Sequence, residues 1–200
     1  ERAGARVVVQ GARSFRDAPA RPGAAESPML SVAGPTTARL QGVVDRVNAS
    51  LPHERRLVIA LHNTRTRHVV SGPIDAVGRL RAALAAQAEA EAKARREGRF
   101  AGKLLAFQAE PLAVGAPFHS PHMQAGLEAM RTAVRELGFR VEAAALQLEA
   151  LSPADGRRLN DDADLTDALM LDQFVRPVRW TDTVRQLAAR KGVAHVLDLG

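Results

Sequence analysis

Hydrophobic positions along the chain change period several times, and each change predicts an element. The run "PMLSVAG", closed by Gly34-Pro35, predicts a strand. In "TTARLQGVVDRVNASL" the apolar residues Leu40, Val43, Val44 and Val47 fall at helical spacing, with Thr36 or Thr37 as the cap. "RLVIALHNT" and "RHVVSGP" predict two further strands, joined by a few polar residues as a hairpin. An Ala-rich amphipathic helix follows, from about Ile74 to Arg96. Its tail, "QAEAEAKARREGR", reads as a solvated helix end rather than a binding element. "GKLLAFQAEPLAVGAPF" is then extended. Strand, helix, strand, strand, helix, strand is the split order of a ferredoxin-like subdomain, here residues 27–114.

The remainder, residues 115–200, reads differently. "HMQAGLEAMRTAVRELGF" is an amphipathic helix stopped by Gly138, and "AAALQLEAL" is expected to be a strand. "DADLTDALMLDQFV" is helical, with acidic residues in the first turn. "TDTVRQLAARKG" predicts a helix with a Thr or Asp cap and a Gly stop, and "VAHVLDLG" a last strand. Alternating helices and strands imply part of an α/β sheet. Residues 1–26, rich in Arg, Ala, Gly and Pro, read as a connection with a short apolar run at Val7 to Val9. A chain ending on Gly200 directly after a strand reads as a piece of something longer.

Composition narrows this little. At 46% hydrophobic the chain is ordinary for a globular protein. The absence of Cys excludes disulfides and thiolate metal sites and fits a reducing compartment. No apolar run is long enough to span a membrane, and the N-terminus lacks a signal-peptide core. The net charge of +6, mostly from Arg, admits nucleic-acid binding. It is read here as arginines on solvated helix faces, because no aromatic platform alternates with them.

The candidate chemistry lies in "GAPFHSPHM", which sets His119 where an extended segment gives way to a helix. Taken alone, the residues leave three readings open. His119 with His122 would give a metal only two ligands, with no third at recognisable spacing. A satisfied structural histidine is the default. A general base would need a nucleophile to deprotonate and a partner for the other ring nitrogen.

"SPMLSVAG", "VIALHN…VVSGP", "PFHSPHM", "QFVRPVRW" and "GVAHVLDLG", in that order, resemble the acyltransferase domain of multifunctional type I fatty acid synthases. The likeness is to the acetyltransferase domain of the fungal β-subunit and bacterial single-chain types, within the wider malonyl-CoA:acyl-carrier-protein transacylase family. The resemblance implies an α/β fold: a ferredoxin-like subdomain inserted in an α/β-hydrolase-like acyltransferase core, of which only the C-terminal part is present. It implies a two-step transfer, in which a serine attacks a CoA thioester and the carrier protein's phosphopantetheine thiol then takes the acyl group. It makes His119 the general base, oriented by the backbone carbonyl of Gln173. Phe118 becomes a selectivity residue favouring unbranched acyl groups, with core packing as its other reading. Asn63 becomes a substrate contact or a turn cap.

The resemblance further implies acetyl-CoA or malonyl-CoA as substrate, with no covalently bound cofactor and no metal. The implied partners are the acyl carrier protein and other synthase domains in a large cytoplasmic homo-oligomer, with neither nucleic acid nor membrane. Arginines near the site would steer the anionic carrier and CoA. No G-x-S-x-G elbow occurs in the sequence, so the nucleophile is expected upstream and the segment alone is expected to be inactive. Ser120 is not expected to reach the His119 ring. The acetyl starter is preferred. The alternatives are a malonyl/palmitoyl transferase domain of the same synthase, or a non-catalytic RNA- or partner-binding module.

Overall fold

A computed structural model describes residues 26–189. Strand β1 (Met29–Ala33), helix α1 (Thr37–Asn48), strands β2 (Val58–Thr64) and β3 (Arg67–Ser71), helix α2 (Ile74–Arg96) and strand β4 (Gln108–Pro111) follow one another as the periodicity predicts. The strands form one antiparallel sheet in the order β2-β3-β1-β4, the ferredoxin-like arrangement. Of the long extended segment foreseen after α2, only Gln108–Pro111 pairs with β1. The expected run at Val7 to Val9, the Gly192 stop and the final strand "VAHVLDLG" lie outside the described residues.

Local chemistry explains the helices. The Thr36 hydroxyl caps α1 by accepting the Arg39 N–H. Leu40, Val43, Val44 and Val47 then fall on one buried face. They meet Ala76, Val77, Leu80 and Leu84 of α2 over Leu30, Val32, Ile59 and Val70 of the sheet. Each large side chain buried there contributes about 1.5–3 kcal/mol. At the other end of α1, Asn48 exchanges two hydrogen bonds with the main chain of Leu57 (2.8 and 2.9 Å), which fixes where β2 begins. Gly34 closes β1 at φ +117°, and a Cβ there would lie 2.2 Å from the Ala106 carbonyl oxygen, so no other residue fits.

The opposite sheet face is also covered. Met29, Ala60, Leu61 and Val69 are buried there beneath Leu112, Val114, Phe118 and Val178. Register slips in β2 at Ile59/Leu61 and His62/Thr64 let Ala60 and Leu61 share that face. Val178 also caps the sheet edge. Its N–H donates to the Ala60 carbonyl and its carbonyl accepts the His62 N–H, both at 2.8 Å. The free edge of β2 is thus paired by chain from the C-terminal half.

Beyond β4 come helices α3 (Gln124–Glu136), α4 (Leu165–Phe174) and α5 (Trp180–Ala188). Arg131 of α3 binds both carboxylate oxygens of Asp167 on α4, at 2.6 and 2.8 Å. Two expectations fail here. "AAALQLEAL" is not a strand: it holds a short 3-10 turn at Ala143–Ala145 and one bridge, Leu151 to Arg158. Its backbone is satisfied locally, through Ala145 N–H to Glu142 and Ala150 N–H to the Asn160 side chain, so it needs no neighbouring strand. The last helix begins at Trp180 without a side-chain cap, and Thr181 and Asp182 lie inside its first turn.

The α2 tail also departs from the solvated reading. Glu91, within it, takes both oxygens to Arg39 (2.5 and 2.6 Å) and accepts the Leu105 N–H at 2.6 Å. Burial alone would push the Glu91 carboxyl up, but bonds from Arg39, Gln87 and Leu105 outweigh it and hold the carboxyl below its ordinary value. A depressed carboxylate contributes stability above its unfolded pKa of about 4.3 and loses it as pH falls through the folded value. Glu91→Gln is therefore expected to lower unfolding free energy by about 1–3 kcal/mol at neutral pH. The gap should narrow in acid, as read by denaturant titration at several pH values.

Candidate active site

His119 occupies a backbone position that few residues tolerate. Its φ of 57° is the one positive value outside glycine among the described residues, a conformation costing on the order of 1 kcal/mol. The turn is held on both sides. The Phe118 N–H donates to the Ala116 carbonyl at 3.0 Å. Ser120 is fully buried and its hydroxyl donates to the Pro117 carbonyl. Its N–H donates to the Phe174 carbonyl at 3.4 Å. Ser120 thus shapes the turn, and its hydroxyl is committed away from the neighbouring ring.

The imidazole that results is half-buried, with Nδ1 between two main-chain oxygens: Asp172 at 3.0 Å and Arg176 at 3.1 Å. Carbonyls only accept, so Nδ1 must carry the proton. The neutral ring then keeps Nε2 as a bare acceptor, and Nε2 has no hydrogen bond among the described residues. Burial pushes the His119 pKa down, more than the two carbonyls and the Asp172 carboxylate pull it up. The ring is therefore neutral near pH 7.

The end of α4 supplies these acceptors. The N–H groups of Val175 and Arg176 both donate to the Leu171 carbonyl, at 3.0 and 2.9 Å. The Asp172 carbonyl is left without a helical donor and turns to His119. This corrects the assignment to Gln173. One residue further on, a carbonyl is rotated about 100° around the helix axis, and the second acceptor comes from Arg176, past the helix end.

The other expected site residues divide. Phe118 packs against the Met29–Ala60–Leu61–Val69 face, and its ring lies 6.0 Å from that of Phe174, so α4 clamps both Phe118 and His119. Asn63 is exposed in the irregular end of β2, and its side chain makes no hydrogen bond to the described residues. His122 Nε2 bonds to the Arg56 carbonyl at 2.8 Å, which turns it away from any pairing with His119. The shallow hollows of the described surface lie by Gly78, Phe107 and Ala109, and by Asp45 and Arg56. His119 lines neither.

Sequence reasoning missed the Asp172 side chain, Arg176 and Phe174. The signal available was the i,i+4 spacing of Asp172 and Arg176, with Phe174 between them. Chemically, the arrangement is a neutral imidazole with its tautomer fixed and its second nitrogen free: a proton acceptor awaiting a hydroxyl or thiol.

Residues 28–110 match the family described as fatty acid synthase central AT domain. The chain is 26% identical over 87% of its length to fatty acid synthase subunit beta of Saccharomyces cerevisiae. It is 35% identical over 48% of its length to fatty acid synthase beta subunit pkiC of Emericella nidulans. It spans only 8% and 5% of those relatives' own lengths. Among solved structures, 80% of the chain superposes on malonyl-CoA:acyl carrier protein transacylase of Xanthomonas oryzae pv. oryzae, with TM-score 0.56 and 27% identity, covering 43% of that chain. The described chain is thus similar to acyltransferase domains of the fatty acid synthase type, and its fold is a ferredoxin-like subdomain joined to an α/β core.

Proposed function

We propose that this chain contributes the general base of an acyl transfer from coenzyme A to an acyl carrier protein, with His119 as that base. The supporting observation is the His119 ring itself, held by two carbonyls on Nδ1 with Nε2 left open. In the first step Nε2 takes the proton of a serine hydroxyl while Oγ attacks the thioester carbonyl. The tetrahedral intermediate collapses, and the coenzyme A thiolate leaves with the proton from the imidazolium. In the second step Nε2 takes the proton of the carrier's phosphopantetheine thiol. The thiolate attacks the acyl-serine, and the serine leaves reprotonated. No G-x-S-x-G elbow occurs in residues 1–200, so in this reading the serine is assigned to another part of the same domain.

In this reading residues 27–114 and 115–200 are the inserted subdomain and the C-terminal part of the core. The working context is a large cytoplasmic synthase homo-oligomer, with the carrier protein and other synthase domains as partners. Acetyl is the preferred acyl group in this reading, from the resemblance carried by "SPMLSVAG", "PFHS" and "HVLDLG" together. Phe118 would set selectivity because it directly precedes the base in the chain and its ring is braced by Phe174, so a branch next to the thioester carbonyl would meet a packed ring.

In the full-length protein, His119→Ala is expected to lower acyl loading by about 10²–10⁴-fold, measured with radiolabelled acetyl-CoA, while circular dichroism stays unchanged. The rate of the parent should rise with pH through a midpoint below about 6.5 and then level off, because burial depresses the His119 pKa and only the neutral ring accepts a proton. A loading rate insensitive to His119→Ala would end this reading. Phe118→Ser is expected to raise the ratio of branched to unbranched acyl-CoA use. Equal losses for both substrates would reduce Phe118 to packing.

A further inference from the structure

Asp172 has a second connection to the base besides its carbonyl. Its carboxylate is buried, at 6% side-chain exposure, and meets Arg176 Nη1 at 3.2 Å through Oδ1. Its Oδ2 is buried with no hydrogen-bond partner among the described residues. Leaving a carboxylate oxygen in that state forfeits the hydrogen bonds it would make in water. The long i,i+4 contact to Arg176 offsets only part of this cost. A group kept at such a cost, on the residue whose carbonyl grips the imidazole, calls for a reason beyond packing.

The surroundings of His119 supply one. The sheet face beneath it is apolar: Met29, Ala60, Leu61 and Val69. Phe118 and Ser120 beside it are neutral, and His122 is turned to the Arg56 carbonyl. Among the described residues, the charged groups acting on the ring come from the end of α4: Asp172, whose field acts on the imidazole, and its partner Arg176. Arg157 adds a longer-range positive field on the same carboxylate.

Resting on His119 as the base, we infer that Asp172 is a positioning residue. Its carboxylate stabilises the imidazolium formed during transfer, and Arg176 limits that stabilisation. The two carbonyls hold the ring in place but carry no net charge. When Nε2 takes a proton, a positive charge appears on a partly desolvated ring, and Asp172 is the carboxylate whose field acts on it. Arg176, paired with the carboxylate at 3.2 Å, partly cancels its field, so the proton is accepted without being trapped. The pair takes the part of a triad's acid through space, from the residues that donate the carbonyls.

The test is the pH profile of kcat/KM for acetyl-CoA in the full-length protein. It compares the parent with Asp172→Asn, Asp172→Glu, Arg176→Gln and His119→Ala. Asp172→Asn is expected to move the acid limb to lower pH by about half a unit to one unit and to lower the plateau. Arg176→Gln should move the limb the other way, and Asp172→Glu should restore it towards the parent. Limbs that coincide, or that shift in one direction for both the Asn and Gln variants, would overturn the inference and leave the pair a packing element. If Asp172→Asn does not fold, the opposite-sign test still stands on Arg176→Gln, whose limb at or below the parent's would overturn it. His119→Ala separates the two levels: full loading by that variant refutes the base itself, whereas its loss together with an unmoved Asp172→Asn limb refutes only the role of the carboxylate.

Discussion

A mostly buried imidazole must find a partner for its Nδ1–H, and here the partner is the spare carbonyl of a helix end. Helix α4 stops with two N–H groups converging on the Leu171 oxygen, which leaves the Asp172 oxygen without a donor. His119, in a left-handed conformation it would not adopt unaided, fills that vacancy and also reaches the Arg176 carbonyl. An unpaired helix carbonyl and an unpaired buried ring N–H would each carry a penalty of about 1–3 kcal/mol. Joining them removes both and is large enough to hold the strained turn. The tautomer of His119 and the open state of Nε2 both follow from this one meeting of two needs.

The ferredoxin-like unit has a part in bringing them together. Its sheet is covered on one face by α1 and α2, and on the other by the very segment that leads into His119. Leu112, Val114 and Phe118 bury themselves against Met29, Ala60, Leu61 and Val69, so the His119 turn starts from a fixed floor. Val178, two residues beyond Arg176, is pinned to β2 by its N–H and carbonyl. The approach to His119 and the segment after its acceptors are therefore anchored on the same sheet face. The subdomain acts as the jig that sets the distance between His119 and the end of α4.

What the sequence discloses and what it hides follow from the range of the forces involved. Helix α2 is legible at both ends, Ile74 and Arg96, because its apolar face and Ala content are local properties. Glu91 inside it was not legible as an anchor, since Arg39 lies on another helix and Leu105 beyond a loop. "AAALQLEAL" has the composition of a strand but no strand beside it among the described residues, and β structure depends on a neighbour more than on propensity. His119 could be singled out from its motif. Its acceptors could not be assigned to the residue, because that depends on which N–H groups the last turn of α4 uses up, a detail one residue finer than any periodic signal. The carboxylate of Asp172 was hidden for a related reason: an acidic residue late in a helix reads as surface until the fold buries it.

Main-chain acceptors also suit the proposed reaction better than a direct carboxylate partner would. Transfer through an acyl-serine requires the same nitrogen to take and return a proton twice, against a hydroxyl and two thiols of differing acidity. A base that binds its proton too firmly stalls on the return, and one that binds it too weakly stalls on the uptake. Carbonyl oxygens do not titrate, so the donor state of Nδ1 is the same at any working pH. Burial keeps the resting ring neutral. A carboxylate one step removed, itself tempered by an arginine, adds back part of the stabilisation that burial takes away. The balance is built from groups whose strengths oppose one another, and the helix end that carries all of them can be shifted only as a unit.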